Sequence, residues 1–209
     1  MIEERTRAKV RCPRISINTV INKDTYRVLE ETVSLVKDLG VEGLNFVYGW
    51  NISARMGAHY EKVCEKLFGI RAASWKGFEK CDIDMDLREL ADIVAKIRGR
   101  GEDGLRVTFL PDISPGAIPG FYAGTLASLA KRKCYSLWHR VDVRHNGDVI
   151  LCSDFPDYVL GNVKEASLNA IWNNERARDF RRKVRGMGLL PICSRCCNLY
   201  TNTIPFLVE

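Results

Sequence analysis

The stretch Arg14-Ile-Ser-Ile-Asn-Thr-Val-Ile21 decides the fold class, because it alternates apolar and polar residues and is rich in β-branched side chains. This pattern predicts a β-strand. From Lys23 to Leu39 apolar residues recur at helical spacing and stop at Gly40, and Gly43-Leu-Asn-Phe-Val-Tyr-Gly-Trp50 is again typical of a strand. Two strands joined by a helix through short connections predict a β-α-β unit with parallel strands.

The same alternation continues along the chain. Asp86-Leu-Arg-Glu89 resembles a capping box and begins a predicted helix that ends near Arg98. Leu105-Arg-Val-Thr-Phe-Leu110 then predicts a third strand. Residues 12–111 are therefore predicted to be β-α-β-α-β, which is half of a barrel or half of an open sheet.

The chain changes character after this part. Phe121 to Lys133 predicts a short helix, and Val141-Asp-Val-Arg-His-Asn-Gly-Asp-Val-Ile-Leu-Cys152 predicts a β-hairpin with its turn at Asn146-Gly147. Gly161-Asn162 begins a link to a helix predicted from about Ser167 to Val184, and a loop follows Pro191. These short elements indicate a small α+β region.

Composition places the chain among globular proteins. Its 209 residues are 46% apolar, enough for one large domain or two modest ones. No apolar stretch approaches the ~20 residues that a membrane span needs, and the residues after Met1 have no apolar core of a signal peptide. We therefore expect a soluble, cytoplasmic protein.

The net charge of +6 is concentrated partly in one segment, which also opens the alternative of nucleic-acid binding. No aromatic side chains alternate with these cations, as a single-strand binder would need, so a solvated helix face is the preferred interpretation. Nucleic-acid binding would show a steep salt dependence. The basic residues are Arg176, Arg178, Arg181, Arg182, Lys183 and Arg185.

Two other patterns resemble binding motifs, but neither meets the requirements of its motif. Gly99, Gly101 and Gly104 match a dinucleotide fingerprint, but they follow a predicted helix and precede a strand, which is the reverse of the required order. The aspartates from Asp82 to Asp86 resemble a calcium loop that lacks its glycine and its final glutamate. We expect a turn at the first pattern and solvated carboxylates at the second.

The eight cysteines carry the chemistry of the chain, because clustered cysteines in a cytosolic protein typically bind metal or act in redox reactions. Cys134 and Cys152 lie on either side of the predicted hairpin, whose turn can bring them together. Cys193 and Cys196 form a CxxC pair. Four such thiolates can hold one zinc ion or one iron–sulfur cluster.

These residues resemble the SPASM/twitch C-terminal domain of radical SAM enzymes. The family pattern appears as Cys134-x12-Gly147-x4-Cys152 followed by Cys193-x2-Cys196. The hairpin Asn146-Gly-Asp-Val-Ile-Leu-Cys152 and the segment Leu160-Gly-Asn-Val-Lys-Glu-Ala-Ser-Leu-Asn-Ala-Ile-Trp172 are also similar to family sequences.

The resemblance implies an auxiliary 4Fe–4S cluster held by Cys134, Cys152, Cys193 and Cys196. Full-length SPASM domains carry further cysteines, whereas here only Cys197 remains, directly beside Cys196. The resemblance therefore favours the shorter, single-cluster form. A structural zinc module that acts in protein interaction stays open as the alternative, since zinc also takes four cysteines.

The resemblance also implies that residues 1–120 are the second half of a (β/α)6 partial TIM-like barrel and that residues 121–209 are the iron–sulfur domain. The CxxxCxxC motif of radical SAM enzymes is missing from this sequence. S-adenosylmethionine would bind only if an N-terminal half were supplied, so the chain is expected to be catalytically incomplete alone. Its catalytic residues are unknown.

An unpaired edge at residues 15–21 predicts pairing with a half-barrel chain or with a second copy. The expected role is that of an oxidoreductase or an enzyme that modifies a peptide or small-molecule substrate, as either a truncated product or one half of a split pair.

Overall fold

A computed structural model describes residues 2–8, 14–79, 84–101, 104–124 and 133–199, which form helices and two small sheets of a mixed α/β fold. The strands of the described residues are β1 Ser16–Ile21, β2 Gly43–Tyr48, β3 Arg106–Leu110, β4 Asp142–Val143, β5 Asp148–Ile150 and β6 Val159–Asn162. The α-helices of the same residues are α1 Ile2–Arg7, α2 Leu29–Asp38, α3 Ala54–Phe68, α4 Leu87–Arg100, α5 Ile118–Ala123, α6 Ser136–His139, α7 Leu168–Trp172 and α8 Glu175–Met187. Single turns of 3-10 helix lie at Tyr26–Val28, Ser74–Phe78, Pro115–Ala117, Pro191–Arg195 and Cys197–Leu199.

The chain forms two compact units. The first contains the described residues up to 49 and those from 84 to 124, and the second contains those from 50 to 79 and from 133 to 199. The boundary predicted between residues 120 and 121 stays a prediction. Among the described residues, no helix is both long enough and apolar enough to cross a membrane.

The first unit is built on the predicted β-α-β-α-β segment. β1, β2 and β3 pair in parallel in that order, which confirms the predicted strand direction. One sheet face is apolar, and the rings of Phe46 and Phe109 stack on it with their centroids 5.2 Å apart. On the other face Asn45 donates a hydrogen bond to Asn18 at 2.8 Å and accepts one from Thr108 at 2.5 Å.

The helices of the first unit follow their sequence patterns. α2 buries Leu29, Val33 and Val36, whose spacing places them on one side of the helix. α4 begins where the capping box predicts, because the Asp86 carboxylate accepts hydrogen bonds from the backbone N–H groups of Arg88 and Glu89.

The second unit packs the antiparallel sheet β4-β5-β6 and its helices around one aromatic core. The rings of Trp50 and Phe155 lie 5.4 Å apart, and those of Tyr158 and Phe180 lie 4.9 Å apart. The basic segment forms α8, which buries Ala177, Phe180 and Val184. Four of its six cations are exposed, but Arg181 and Lys183 are half-buried, so the predicted solvated face is narrower than the run of charges.

Three predicted elements differ from the structure. The single helix predicted over residues 167–184 is two helices, because Asn174 caps the second one: its Oδ1 accepts from Ala177 N at 2.8 Å and its Nδ2 donates to Leu160 O at 2.9 Å. The link predicted at Gly161-Asn162 is the end of β6. Of the helix predicted from Phe121 to Lys133, α5 ends at Ala123, and residues 125–132 lie outside the described residues.

Candidate metal centre

The predicted hairpin is present and leads directly to Cys152. β4 pairs with β5 in antiparallel register, with Asp142 opposite Ile150. Gly147 has a φ of +94°, and its N–H donates to the Arg144 carbonyl at 2.8 Å. A Cβ atom at this position would lie 2.6 Å from Asn162 Oδ1, so both conformation and space require glycine here.

Asp148 fixes the turn to β6 through two side-chain amides. Asn146 Nδ2 donates to its Oδ2 at 2.7 Å, and Asn162 Nδ2 donates to its Oδ1 at 3.0 Å. These two hydrogen bonds lower the pKa of the Asp148 carboxyl, since they favour its charged form. The carboxylate therefore stabilises the hairpin that leads to Cys152.

Replacing Asp148 by asparagine is expected to destabilise the second unit at neutral pH and to matter less in acid. A carboxyl with a lowered folded-state pKa contributes stability that is present above its ordinary pKa of about 3.9 and is lost as the pH falls through the lower value. The difference between the urea midpoints of wild type and D148N is therefore expected to be smaller below about pH 4 than at neutral pH. E165Q is the control, because Glu165 is exposed and its side chain has no partner among the described residues; a D148N difference that grows in acid would contradict the assignment.

Cys134 precedes α6, which is tied to α8 by a single arginine. Arg181 Nε donates to the Leu137 carbonyl at 2.8 Å, and Arg181 Nη1 donates to the Trp172 carbonyl at 2.8 Å. The guanidinium also lies 4.0 Å from the centroid of the Trp172 ring. Because the planar group makes both bonds and the ring contact at once, it fixes the short helix after Cys134.

Cys193 and Cys196 lie on a tight turn rather than in an open loop. Pro191–Arg195 is a turn of 3-10 helix in which Cys193 N donates to Leu190 O and Cys196 N donates to Cys193 O, each at 2.9 Å. Ile192 is fully buried, and the turn packs against α3. This turn places the two CxxC thiols against the aromatic core.

The four predicted ligands are all half-buried and pack against that same core. Burial is the main cause that raises the pKa of Cys193 to about 12, and repulsion by Cys134 contributes to the same shift. Burial also raises the pKa of Cys152, with smaller contributions from Asp154 and Cys193. A hydrogen bond with Cys197 is the largest cause that raises the pKa of Cys196, and Cys152 adds to it by repulsion. Electrostatic interactions thus link Cys134 with Cys193, Cys193 with Cys152, and Cys152 with Cys196.

These raised pKa values indicate the kind of chemistry that the thiols suit. A thiol whose pKa is raised by burial is a poor nucleophile, because little thiolate forms at neutral pH. A bound metal reverses this preference and deprotonates its coordinating thiols. Among the residues that the structure describes, no three His, Cys, Asp or Glu side chains are grouped so as to hold a single metal ion.

Two neighbours of this site were missed by the sequence analysis. The Cys196 thiol donates to Asp154 Oδ2 at 3.4 Å, and burial raises the pKa of the Asp154 carboxyl. Cys64, on α3, is buried and interacts electrostatically with Cys193. Cys64 shares the apolar stripe of its helix with Tyr60, so helical spacing shows that it faces inward but not what it faces. Cys12 and Cys81 lie outside the described residues.

Comparison with known proteins assigns the cysteine-rich segment. Residues 134–197 match the SPASM family model. The model describes an iron-sulfur cluster-binding domain, and this segment contains the whole predicted ligand set, so the resemblance inferred from cysteine spacing is confirmed. Neither the curated proteins nor the solved structures gave a match to the chain. Residues 134–197 are called the SPASM segment below.

Proposed function

We propose that the SPASM segment holds one 4Fe–4S cluster through Cys134, Cys152, Cys193 and Cys196. The observation that carries the proposal is the family match over a segment whose four predicted ligands pack on one core and interact electrostatically. Four thiolates are the usual ligand set of such a cluster. When bound, it supplies one-electron transfer at a potential that the surrounding protein tunes.

The chemistry of the donor set fits such a group. The four cysteines are free thiols, and none is in a disulfide among the described residues. Asp154 lies beside them, because the Cys196 thiol donates to its Oδ2 at 3.4 Å. The Arg140 guanidinium adds a positive charge that interacts electrostatically with Asp154 and with Cys152. Charges and hydrogen bonds next to the sulfur atoms are the means by which a protein adjusts cluster potential.

The wider proposal is that the chain is the C-terminal portion of a radical SAM/SPASM-type oxidoreductase or modifying enzyme. Three parallel strands joined by helical segments support a partial barrel, in which the polar face with Asn18, Asn45 and Thr108 would point inward. Since no CxxxCxxC motif occurs in this sequence, the S-adenosylmethionine site would come from another half. β1 is an edge strand of the described sheet, and its open side is the proposed place for that half-barrel or for a second copy.

Anaerobic reconstitution tests the cluster. The full chain, supplied with iron and sulfide, is expected to bind about four of each and to absorb broadly in the visible range. Each of C134A, C152A, C193A and C196A is expected to lose most of this iron, because a missing ligand exposes the cluster. C197A is the matched control, since it removes the thiol adjacent to Cys196 and should retain the iron.

Two outcomes would overturn the proposal. Loss of iron in C197A equal to that in C196A would contradict the ligand set. A colourless chain that carries one zinc ion after anaerobic preparation would contradict the cluster and favour the structural zinc module.

A further inference from the structure

A cavity of about 320 Å³ opens beside Cys134 within the second unit. This volume is within the range of small-molecule sites, which begins at about 300 Å³. Apolar and aromatic side chains supply much of its wall, and two cations complete it. The lining residues are Lys133, Cys134, Tyr135, Trp138, Val184, Arg185 and Gly188.

The cavity is formed where two helices end or begin. Tyr135 is the N-cap of α6 and Trp138 lies within it, while Val184 and Arg185 lie in the last turn of α8. Gly188, with a φ of +92°, ends α8 and turns the chain away. Arg181 joins the two helices by its bond to the Leu137 carbonyl, so the walls belong to one packed structure.

The aromatic walls are unusually open to solvent for such large apolar groups. Tyr135 is 56% exposed and Trp138 is 38% exposed. Adjacent exposed aromatic side chains typically mark a binding surface, because their burial by a ligand is favourable. Two aromatic side chains in the wall of one cavity favour a flat, aromatic ligand group over a branched aliphatic one.

The two cations of the cavity favour a ligand with a negative charge. Among the described residues, neither Lys133 nor Arg185 has a carboxylate within ion-pair distance. By contrast, Arg182 and Lys183 of the same helix both pair with Asp179. Two uncompensated cations beside an apolar wall attract an anion, and the guanidinium suits a carboxylate in particular.

We propose that this cavity binds an aromatic carboxylate, with its ring against Tyr135 and Trp138 and its carboxylate at Lys133 and Arg185. The inference rests on the proposed function, because the ligand would lie against Cys134, the first proposed cluster ligand. The same chemistry occurs in a free aromatic acid and at the C-terminus of a peptide that ends in an aromatic residue.

Calorimetric titration of the reconstituted full chain tests the proposal, with indole-3-propionate as the probe. Tryptamine carries the same ring with the opposite charge and is expected to bind at least about tenfold more weakly. W138A and R185A are each expected to weaken the binding of indole-3-propionate by about tenfold. R178A is the control, because Arg178 is an exposed residue of the same helix that does not line the cavity, and the affinity should be unchanged. Equal binding of both probes, no binding, or binding unchanged in W138A and R185A would each overturn the proposal.

A spectroscopic reading separates this inference from the cluster proposal. Saturation with indole-3-propionate is expected to shift the visible circular dichroism of the iron-loaded chain, because the ligand contacts Cys134; binding without a shift would overturn the placement. Iron-loaded chain that binds no probe would refute the cavity alone, and probe binding by a chain that assembles no cluster would refute the cluster alone.

The dipeptide Gly-Trp and its C-terminal amide distinguish a peptide end from a free aromatic acid as the ligand. Tighter binding of Gly-Trp than of indole-3-propionate supports a peptide end, and the amide should bind about tenfold more weakly than Gly-Trp.

Discussion

Replacing Gly57 by alanine is expected to destabilise the second unit by about 3 kcal/mol, although the same change in an open helix position is favourable. Gly57 is buried within α3, and a Cβ atom there would lie 2.2 Å from two ring carbons of Trp75. Trp75 is itself buried, and its Nε1 donates to Glu61 Oε1 at 3.0 Å. The ring therefore has to lose packing and a hydrogen bond before a methyl group can fit.

G186A is the matched control for this substitution. Gly186 lies inside α8 in the same unit, and a Cβ atom there would meet nothing within 4 Å. It is expected to raise stability by about 0.5 to 1 kcal/mol, because alanine has the higher helix propensity. Urea unfolding of both variants, followed by far-UV circular dichroism, measures the opposite signs. A G57A variant as stable as G186A would show that Trp75 does not pack on this face of α3.

The effect of G57A should extend to the metal centre. α3 packs against the turn Pro191–Arg195, which carries Cys193. A displaced Trp75 pushes on the helix that supports this turn, so reconstituted G57A is expected to hold less iron than G186A. The two substitutions thus link the packing of one glycine to the geometry of a proposed ligand.

Much of the fold was predictable because its signals are local. The strands of the first unit and the helices between them follow periods of two and 3.6 residues, and Asp86 marks the start of α4 by its own hydrogen bonds. The prediction of one helix over residues 167–184 was wrong, because a side chain within that range caps a second helix. Asn174 ends one helix and begins another through a bond to Leu160, a contact fourteen residues away that periodicity does not contain.

In the candidate site too, local features were predictable and contacts between distant segments were not. The Asn146-Gly147 turn was predictable because Gly147 adopts a φ that other residues avoid, and the cysteine spacing pointed to the SPASM segment. Asp154 beside Cys196 and the cavity beside Cys134 were not predictable, because both depend on how distant segments pack. Arg181 illustrates the point: sequence places it in a basic run, whereas packing makes it the tie between α6 and α8.

Replacing Asp157 by alanine is expected to cost the second unit about 3 to 4 kcal/mol, because one carboxylate satisfies four donors. Its Oδ1 accepts from Ala73 N at 2.9 Å and from Ser74 N at 3.0 Å. Its Oδ2 accepts from the Tyr60 hydroxyl at 3.0 Å and from the Ser74 hydroxyl at 2.5 Å. The carboxylate thereby joins α3, the turn Ser74–Phe78 and the loop after Cys152.

The magnitude follows from what the alanine leaves behind. Tyr60 is 2% exposed, so its buried hydroxyl would exchange a carboxylate acceptor for the weaker Cys64 thiol, and the two backbone N–H groups would lose their acceptor. D157N keeps the shape but cannot accept at all four positions, so an intermediate loss is expected. D179A is the control: among the residues that the structure describes, Asp179 pairs only with Arg182 and Lys183 of its own helix, and such surface pairs contribute at most about 1 kcal/mol. Urea midpoints in the order D179A, D157N, D157A, from most to least stable, are the expected result. If D157A has the same urea midpoint as D179A, the Asp157 carboxylate does not hold these segments together. The loop after Cys152 would then be held by the aromatic core.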